Sequence, residues 1–285
     1  MASRARAVTY SIVARDAETG ELGVAVQSRA FRAGSGVGWA LPGVGAVASQ
    51  AFSEPSYGPL GLELLQAGKT PEQALAGLVA ADPESAVRQV AVVDAEGRTA
   101  VHTGAECIRE AGHRTGDGYS VQANMMRSAD VWPAMAKAFE AASGSLARRL
   151  LASLEAAEAA GGDWRGQQAA GLLVVAADDK PWERISDLRV DDHAQPLREL
   201  RRLLDLEEAY RALTRSDERA AAARAGGLSE VDVRWAEIID AGQAGDVARA
   251  RDLLAPLLVE EPRWADFVRA LAARGLVPDA DELLR

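Results

Sequence analysis

The segment TYSIVARDAETGELGVAVQS, residues 9–28, contains the first two strands of the chain and sets its architecture. Residues 9–16 show an alternating pattern rich in strand-forming side chains, which is typical of a β-strand. Glu18-Thr19-Gly20 is typical of a turn, and residues 21–28 read as a second strand. The segment therefore predicts a β-hairpin at the front of the fold.

Downstream of the hairpin, predicted strands and helices come in blocks. A glycine-rich stretch, AGSGVGWALPGVG (residues 33–45), leads into a third strand, and the pattern Thr70-Pro71-Glu72-Gln73 is typical of a capping box at a helix start. The predicted strands after the hairpin lie at about 46–50, 89–94, 98–103, 119–123 and 171–176, and the predicted helices at 58–66, from 71 onward, at 130–142 and at 145–160.

The order of these elements predicts the fold class. The helices arrive in adjacent pairs and not singly between strands, which disfavours a doubly wound parallel sheet. Two sheets packed face to face, with the helix pairs outside, would bury the near-continuous apolar strands on both faces. We therefore expect an α+β fold, a four-layer αββα sandwich, followed by a small all-helical domain.

The C-terminal part changes in character. From about residue 197 the chain is rich in Ala and Leu, and helical stretches at 197–213, 229–241, 246–259 and 263–273 are separated by Gly or Pro. No fixed period repeats. We expect an N-terminal extension at 1–8, the sandwich at 9–200 and a helical accessory domain at 201–285.

An acidic segment precedes this boundary. Asp187, Asp191 and Asp192 together with His193 offer hard oxygen ligands and one imidazole, which is a donor set for a divalent metal ion. The competing interpretation is a solvated acidic linker. We favour the linker and expect no metal and no other cofactor.

The charge balance excludes several classes of partner. The chain has 42 acidic and 32 basic residues, a net charge of −10, which opposes binding to nucleic acid or to an anionic membrane. Cys107 is the only cysteine, so neither an intrachain disulfide nor a multi-thiolate metal site is expected. The opening MASRARAV has no hydrophobic stretch behind it, which predicts a cytoplasmic protein.

Thr9, at the start of the first strand, is the candidate nucleophile. A threonine hydroxyl reacts only when a base lies beside it, and at a chain terminus its own α-amine can be that base. That amine has a reference pKa of about 8, so roughly a tenth of it is neutral at pH 7. Val8 precedes Thr9, and the valine codon GTG also serves as a bacterial start codon. Initiation at position 8, followed by removal of the initiator methionine, would leave Thr9 first; the alternative is an ordinary strand threonine.

Several collinear blocks of the sequence resemble the domain of unknown function 1028 family. The resemblance covers about residues 9–200, and the residues after it resemble a peptidoglycan-binding domain that is sometimes appended to this family. The blocks are TYSIVARDAETGELGVAVQSR (9–29), GVGAVASQAF (43–52), PSYGPLGLELLQAG (55–68), QVAVVDAEGRTAVHTG (89–104), GHRTGDGYSVQANMM (112–126) and GGDWRGQQAAGLLV (161–174).

The resemblance implies membership of the N-terminal-nucleophile hydrolase superfamily, which includes the proteasome β-subunits, and Thr9 as nucleophile. It implies that Asp16 orients the amine and that Ser28 and Arg29 contact substrate at the end of the second strand. The proteasome-type lysine has no match, because the first lysine of the chain is Lys69. Arg29 or Arg32 would have to supply the positive charge, and arginine does not deprotonate.

Three further polar residues fall in the matching blocks: His113, Asn124 and Asp163. Asn124, or a backbone N–H group of the glycine-rich stretch, is a candidate donor to an oxyanion. Asp163 lies in the loop before the last predicted strand, from which its carboxylate can reach the first strand, and His113 is a candidate substrate contact. Each has an alternative role as a turn or capping residue.

Two functional hypotheses follow. The first is an amidohydrolase of the N-terminal-nucleophile type that acts on a small amide. The second is a catalytically silent binding module whose helical tail recognises a partner or a cell-wall glycan, although the lack of a leader segment argues against the glycan. Members of the superfamily often assemble through their helical and edge surfaces, so we also expect that this chain can form a homo-oligomer.

Overall fold

The computed structural model describes residues 9–178, 180–213 and 223–285. The chain divides into two compact units, Met1–Arg202 and Leu203–Arg285. The predicted N-terminal extension at residues 1–8 lies outside the described residues.

Ten strands form two antiparallel sheets in the N-terminal unit. In the six-stranded sheet the order is β10-β9-β2-β1-β8-β7, and in the four-stranded sheet it is β3-β4-β5-β6. The strands are β1 Thr9–Arg15, β2 Leu22–Ser28, β3 Gly38–Leu41, β4 Gly45–Ala51, β5 Arg88–Asp94, β6 Thr99–Thr103, β7 Gly112–Gly116, β8 Tyr119–Asn124, β9 Ala169–Val175 and β10 Ser186–Val190.

Five helices belong to the same part of the chain: α1 Ala33–Gly36, α2 Tyr57–Gln66, α3 Pro71–Ala81, α4 Val131–Ala141 and α5 Leu146–Ala159. Helices α2 and α3 pack on the four-stranded sheet, and α4 and α5 pack on the six-stranded sheet. The capping box at the start of α3 is confirmed, because Thr70 and Gln73 bond each other's backbone N–H groups.

The two sheets face one another across a shared apolar core. Val13 and Val24 from the six-stranded sheet and Ala48 and Ala91 from the four-stranded sheet are buried in one cluster. Because side chains alternate along a strand, each sheet also has an outer face, which its helix pair covers. The predicted mixed α+β class is confirmed.

The structure contains strands that the sequence analysis did not predict. These are β3, β7 and β10. Residues of β7 are half-buried or exposed, so the strand lacks an apolar alternation that could reveal it. The expectation of a solvated linker from Asp187 onward is corrected in part, because Asp187 lies on the edge strand β10 and pairs with Arg189.

The C-terminal unit is helical, as predicted. Helix α6, Pro196–Leu213, begins before the unit boundary at residue 202, and it is followed in the described residues by α7 Glu230–Gln243, α8 Val247–Glu260, α9 Trp264–Ala272 and α10 Ala280–Leu283. Ile238, Leu254 and Val268 contribute to one apolar cluster, and Leu213 and Val233 to a second. No helix in the described ranges is both long enough and apolar enough to cross a lipid bilayer.

Candidate functional site

One end of the facing sheets is lined with buried polar side chains. Thr9 and Ser11 lie on the same face of β1 as Val13, which points at the opposite sheet. Strand register brings the start of β1 beside the end of β2 and the end of β8. We call the following fully or almost fully buried residues the inter-sheet polar cluster: Thr9, Ser11, Ser28, Gln50, Gln89, Gln122 and Asn124.

Thr9 is held at its side chain and at its backbone. Its hydroxyl donates a hydrogen bond of 3.1 Å to the hydroxyl of Ser28, the residue opposite it on β2. Its carbonyl oxygen accepts bonds of 3.2 Å from Gln50 Nε2 and 3.2 Å from Asn124 Nδ2. The first residue of β1 is therefore fixed by side chains from both sheets.

Gln89 joins the groups that hold Thr9. Its Oε1 accepts a 2.7 Å bond from Gln50 Nε2 and a 3.1 Å bond from Asn124 Nδ2. Its Nε2 donates to Thr103 Oγ1 and to the carbonyls of Gly112 and Ala123. Both lone pairs of Gln89 Oε1 and both N–H groups of Asn124 are thus engaged.

Deeper in the same face, Ser11 links both sheets. Its hydroxyl donates to Gln50 Oε1 at 2.6 Å and accepts from Gln122 Nε2 at 2.6 Å. Ser120 in turn donates to Gln122 Oε1 at 3.0 Å. A buried polar network that is satisfied in this way rigidifies the core around it.

Asp163 lies beside the end of β2. Its side chain is almost completely buried, and its carboxylate accepts bonds from the backbone N–H of Arg29 at 3.1 Å and of Arg165 at 2.7 Å. The Arg165 guanidinium adds an ion pair at 3.3 Å. The guanidinium of Arg29 donates to the carbonyl of Gln167 at 2.7 Å. The Asp163 carboxylate is therefore bonded to the backbone of Arg29, the residue that directly follows Ser28.

The structure does not bring Asp16 to Thr9. Asp16 follows the other end of β1, and a strand rises about 3.3 Å per residue, so roughly 20 Å of strand separates the two. Its carboxylate accepts bonds from the N–H groups of Glu18 and Thr19 and pairs with Arg149. Burial opposes ionisation, but these bonds outweigh it and hold the pKa of Asp16 below its ordinary value.

His113 is joined to the polar cluster from its rim. It lies on β7, and its Nδ1 is 2.9 Å from Thr103 Oγ1, which accepts from Gln89. Burial, together with the charge of nearby His102, lowers the pKa of His113. The hydrogen-bond chain thus runs from His113 through Thr103 and Gln89 to the groups that hold Thr9.

Backbone strain is stored beside the same cluster. Ala51, with φ of 69°, follows Gln50, and Met125, with φ of 53°, follows Asn124. A non-glycine residue in this region costs about 1–3 kcal/mol, and such residues concentrate at functional sites. The strain therefore marks this end of the sheets as the candidate site.

Four residues of this network were not predicted from the sequence: Gln50, Gln89, Gln122 and Thr103. A signal for the glutamines was present, because each is a long uncharged polar side chain within a predicted strand. Among the described residues, no group of three or more His, Cys, Asp or Glu side chains is placed to hold a metal ion.

Comparisons with known proteins place this arrangement in context. The model of a family of unknown function, DUF1028, matches residues 9–200. The crystal structure of protein SPO2555 from Silicibacter pomeroyi, described with the same family model, is similar at 33% identity and a TM-score of 0.64, covering 76% of this chain and 94% of that one. No curated protein matches the chain.

A second solved structure, Anbu (ancestral beta-subunit) from Yersinia bercovieri, is similar at 11% identity over 73% of this chain and 98% of that one. The TM-score of this pair is 0.34.

Proposed function

This chain belongs to the DUF1028 family, whose function is unknown, and we propose that its N-terminal unit is an amide hydrolase in which Thr9, once it is the first residue, is the nucleophile. The observation that carries the proposal is that Thr9 is fixed by hydrogen bonds at two points. Its hydroxyl bonds Ser28, and its carbonyl oxygen accepts bonds from Gln50 and Asn124. A nucleophile has to be held in a defined geometry before it reacts.

The reaction uses two groups of Thr9 itself, its α-amine and its side-chain hydroxyl. The free α-amine takes the proton from Oγ, and Oγ attacks the carbonyl carbon of the amide. The C–N bond breaks, the leaving amine takes the proton back from the α-ammonium group, and an ester to Thr9 remains. Water, deprotonated by the same amine, then releases the acid and restores the hydroxyl. No cofactor is required by these steps.

Neighbouring residues have separate parts in this scheme. Ser28 Oγ lies 3.1 Å from Thr9 Oγ and so fixes the position of that oxygen, while the rotatable hydroxyl proton turns to the α-amine for transfer. Asn124 positions Thr9 and does not serve as the oxyanion donor, because both of its N–H groups are engaged. Asp163 bonds the N–H of Arg29, the residue after Ser28, and in this scheme it orients the ammonium in place of Asp16.

The layer order supports the same proposal. The sheets face one another, and a helix pair covers the outer side of each, as expected for the αββα sandwich of N-terminal-nucleophile hydrolases. The absent lysine remains a departure from the proteasome pattern. Arg29, Arg127 and Arg165 are cations near Asp163, and all three are engaged. Arg29 bonds the Gln167 carbonyl, Arg127 bonds the carbonyls of Asp163 and Trp164, and Arg165 pairs with the Asp163 carboxylate.

The test compares the full chain with a chain that starts at Thr9. We expect release of p-nitroaniline from simple acyl p-nitroanilides only from the shorter chain. Thr9→Ala should lower kcat/KM by a factor of about a thousand or more, and Thr9→Ser should retain part of it. Thr115→Ala, a change of an exposed threonine on β7, is the matched control. Full activity in the Thr9→Ala variant would refute the proposal.

The N-terminus of the protein in its native host provides an independent check. Intact mass and N-terminal sequencing should find a chain that begins at Thr9. A chain that begins at Ala2 would place seven residues before the nucleophile and would favour a binding role.

A binding role is the second candidate, and an aromatic hollow in the C-terminal unit favours it. The hollow measures about 450 Å³ and is lined by Glu261, Arg263, Trp264 and Phe267. The rings of Trp235 and Trp264 lie 5.1 Å apart at their centroids. Aromatic faces with polar groups at the edge suit the apolar faces and hydroxyl rim of a sugar ring.

This second candidate is tested by sedimentation of the full chain with purified peptidoglycan. We expect Phe267→Ala to abolish co-sedimentation and Leu276→Ala, a change of another exposed apolar residue of the unit, to leave it unchanged. Absence of co-sedimentation by the unaltered chain would exclude a glycan partner of this kind.

A further inference from the structure

We propose that three exposed apolar side chains beside the Thr9 site, those of Phe31, Ile108 and Trp164, form an acyl-binding surface, so that the substrates are amides of apolar carboxylic acids. This inference rests on the proposed hydrolase function and names its substrate class. The exposed fractions are 64% for Phe31, 36% for Ile108 and 68% for Trp164.

Backbone hydrogen bonds bring two of these residues together. The N–H of Met125 donates to the carbonyl of Ile108 at 3.0 Å, and the N–H of Trp164 donates to the carbonyl of Met125 at 3.2 Å. Ile108 and Trp164 therefore flank Met125 on either side. Met125 directly follows Asn124, which pairs with Thr9 across the β1–β8 ladder.

Phe31 approaches the same place from β2. It lies two residues after Arg29, whose N–H bonds the carboxylate of Asp163, and Trp164 is the next residue after Asp163. Three chain segments beside the site, the one after Ser28, the one that bonds Met125 and the one after Asp163, thus each carry an exposed apolar side chain.

The distribution of exposed apolar residues in this unit is uneven. Among its described residues, the other large ones are Leu60, on α2, and Trp182. Trp182 lies in the β9–β10 connection, which leaves β9 at Val175, opposite Leu22 and therefore at the end of the sheets away from Ser28. Single exposed apolar residues are ordinary, whereas a group around one site indicates a ligand.

The position of the apolar side chains beside Thr9 indicates the chemistry of the group that they would bind. A substrate that presents its carbonyl carbon to Thr9 Oγ has to place its acyl or its amine portion against the surrounding segments. Apolar side chains stabilise an apolar group by removing its surface from water, which is worth up to about fourfold in affinity for each buried methylene.

The experiment uses p-nitroanilides of acetic, butyric, hexanoic and octanoic acids with the chain that starts at Thr9. Because the leaving group is constant, kcat/KM reports the acyl portion alone. We expect kcat/KM to rise along the series by about two- to fourfold per methylene. Trp164→Ala should lower it about tenfold for octanoyl and less than about twofold for acetyl. Trp182→Ala, the same change at an exposed tryptophan away from the site, should alter neither.

Binding is measured separately from turnover by calorimetric titration of the full chain with octanamide. Turnover that depends on Thr9 but not on acyl length would refute the proposal of an acyl-binding surface, and it would still support the hydrolase proposal. Octanamide binding that is lost in Trp164→Ala and kept in Trp182→Ala, without any turnover, would support the surface and refute the hydrolase.

Two further results would refute the proposal of an acyl-binding surface. One is the absence of saturable octanamide binding to the unaltered chain. The other is a concentration-dependent dimer that Trp164→Ala dissociates while octanamide binding is unchanged, because the exposed side chains would then belong to an interface between copies.

Discussion

The hydroxyl of Thr9 donates a 3.1 Å hydrogen bond to the hydroxyl of Ser28, its partner residue across the β1–β2 pair. The register of the hairpin produces this pairing, because the ladder runs without interruption from Arg15 opposite Leu22 to Thr9 opposite Ser28. A slip by one residue would turn Ser28 to the outer face of the sheet. The turn after β1 therefore determines which side chain meets the candidate nucleophile.

Ser28→Ala should impair hydrolysis more than it impairs folding. Loss of the acceptor frees the Thr9 hydroxyl to adopt other rotamers, and we expect kcat/KM for an acyl p-nitroanilide to fall about 10- to 100-fold. Ser153→Ala is the matched control, since Ser153 is a buried serine on α5 that bonds the carbonyl of Met135. A Ser28→Ala variant with unaltered kcat/KM would remove Ser28 from the scheme.

Gln89→Leu should destabilise the N-terminal unit. The substitution removes the acceptor of Gln50 Nε2 and of Asn124 Nδ2 and leaves these buried donors without that partner. Unsatisfied buried groups in such a network cost about 2–4 kcal/mol in the free energy of unfolding. Urea denaturation followed by circular dichroism measures the loss. Gln66→Leu, at an exposed position of α2, should change it by less than about 0.5 kcal/mol.

The sequence predicted most of the elements of this fold because their signals are local. The capping box at Thr70 starts α3, and the glycines at 161–162 follow α5. Strand β7 escaped prediction, because an edge strand with exposed side chains has no apolar alternation. Strand β10 escaped it as well, since its charged residues are typical of a linker.

The candidate site was harder to predict, because it depends on pairing between distant segments. Thr9 and Ser28 could be placed from one hairpin, but Gln50 and Gln89 come from the second sheet. Their positions opposite Thr9 follow from sheet packing, which the sequence does not encode locally. Asp16 was assigned to the site from the family resemblance, although in a hairpin the residues opposite Thr9 lie at the end of β2.

Asp82→Asn should reduce the loss of unfolding free energy that occurs at acid pH. The Asp82 carboxylate accepts bonds from Arg88 Nε at 2.8 Å and from Tyr57 at 3.2 Å. The bond from Arg88 is the main cause of a pKa of Asp82 below its ordinary value, although burial opposes it. The stabilisation is therefore present above the unfolded-state pKa of about 3.9 and is lost as pH falls through the lower folded-state pKa.

In the Asp82→Asn variant this loss should be absent, and the free energy of unfolding at pH 7 should fall by about 1–3 kcal/mol. Urea denaturation between pH 7 and pH 2.5 measures both effects. Asp187→Asn, which removes the partly exposed pair with Arg189, should change the free energy by less than about 1 kcal/mol. An Asp82→Asn variant that retains the acid dependence of the unaltered chain would assign it to other carboxylates.

The last prediction concerns Asn124, the only asparagine in the chain. Asn124→Asp has nearly the same shape but replaces a donor of two hydrogen bonds with a carboxylate that faces the oxygens of Thr9 and Gln89. Burial and these acceptors favour the protonated acid, so the pKa of the new carboxyl should lie above its unfolded-state value of about 3.9. A folded-state pKa that is raised makes stability increase as pH falls, fully so below the unfolded-state pKa.

We therefore expect the deficit in unfolding free energy of Asn124→Asp, relative to the unaltered chain, to be largest at pH 8 and to shrink toward pH 5. The protonated acid can again donate one bond, to Thr9 or to Gln89. Asn124→Leu is the control, because it lacks a titratable group and its deficit should be independent of pH. Equal pH profiles for Asn124→Asp and Asn124→Leu would mean that the bonds donated by Asn124 Nδ2 do not hold Thr9 in place.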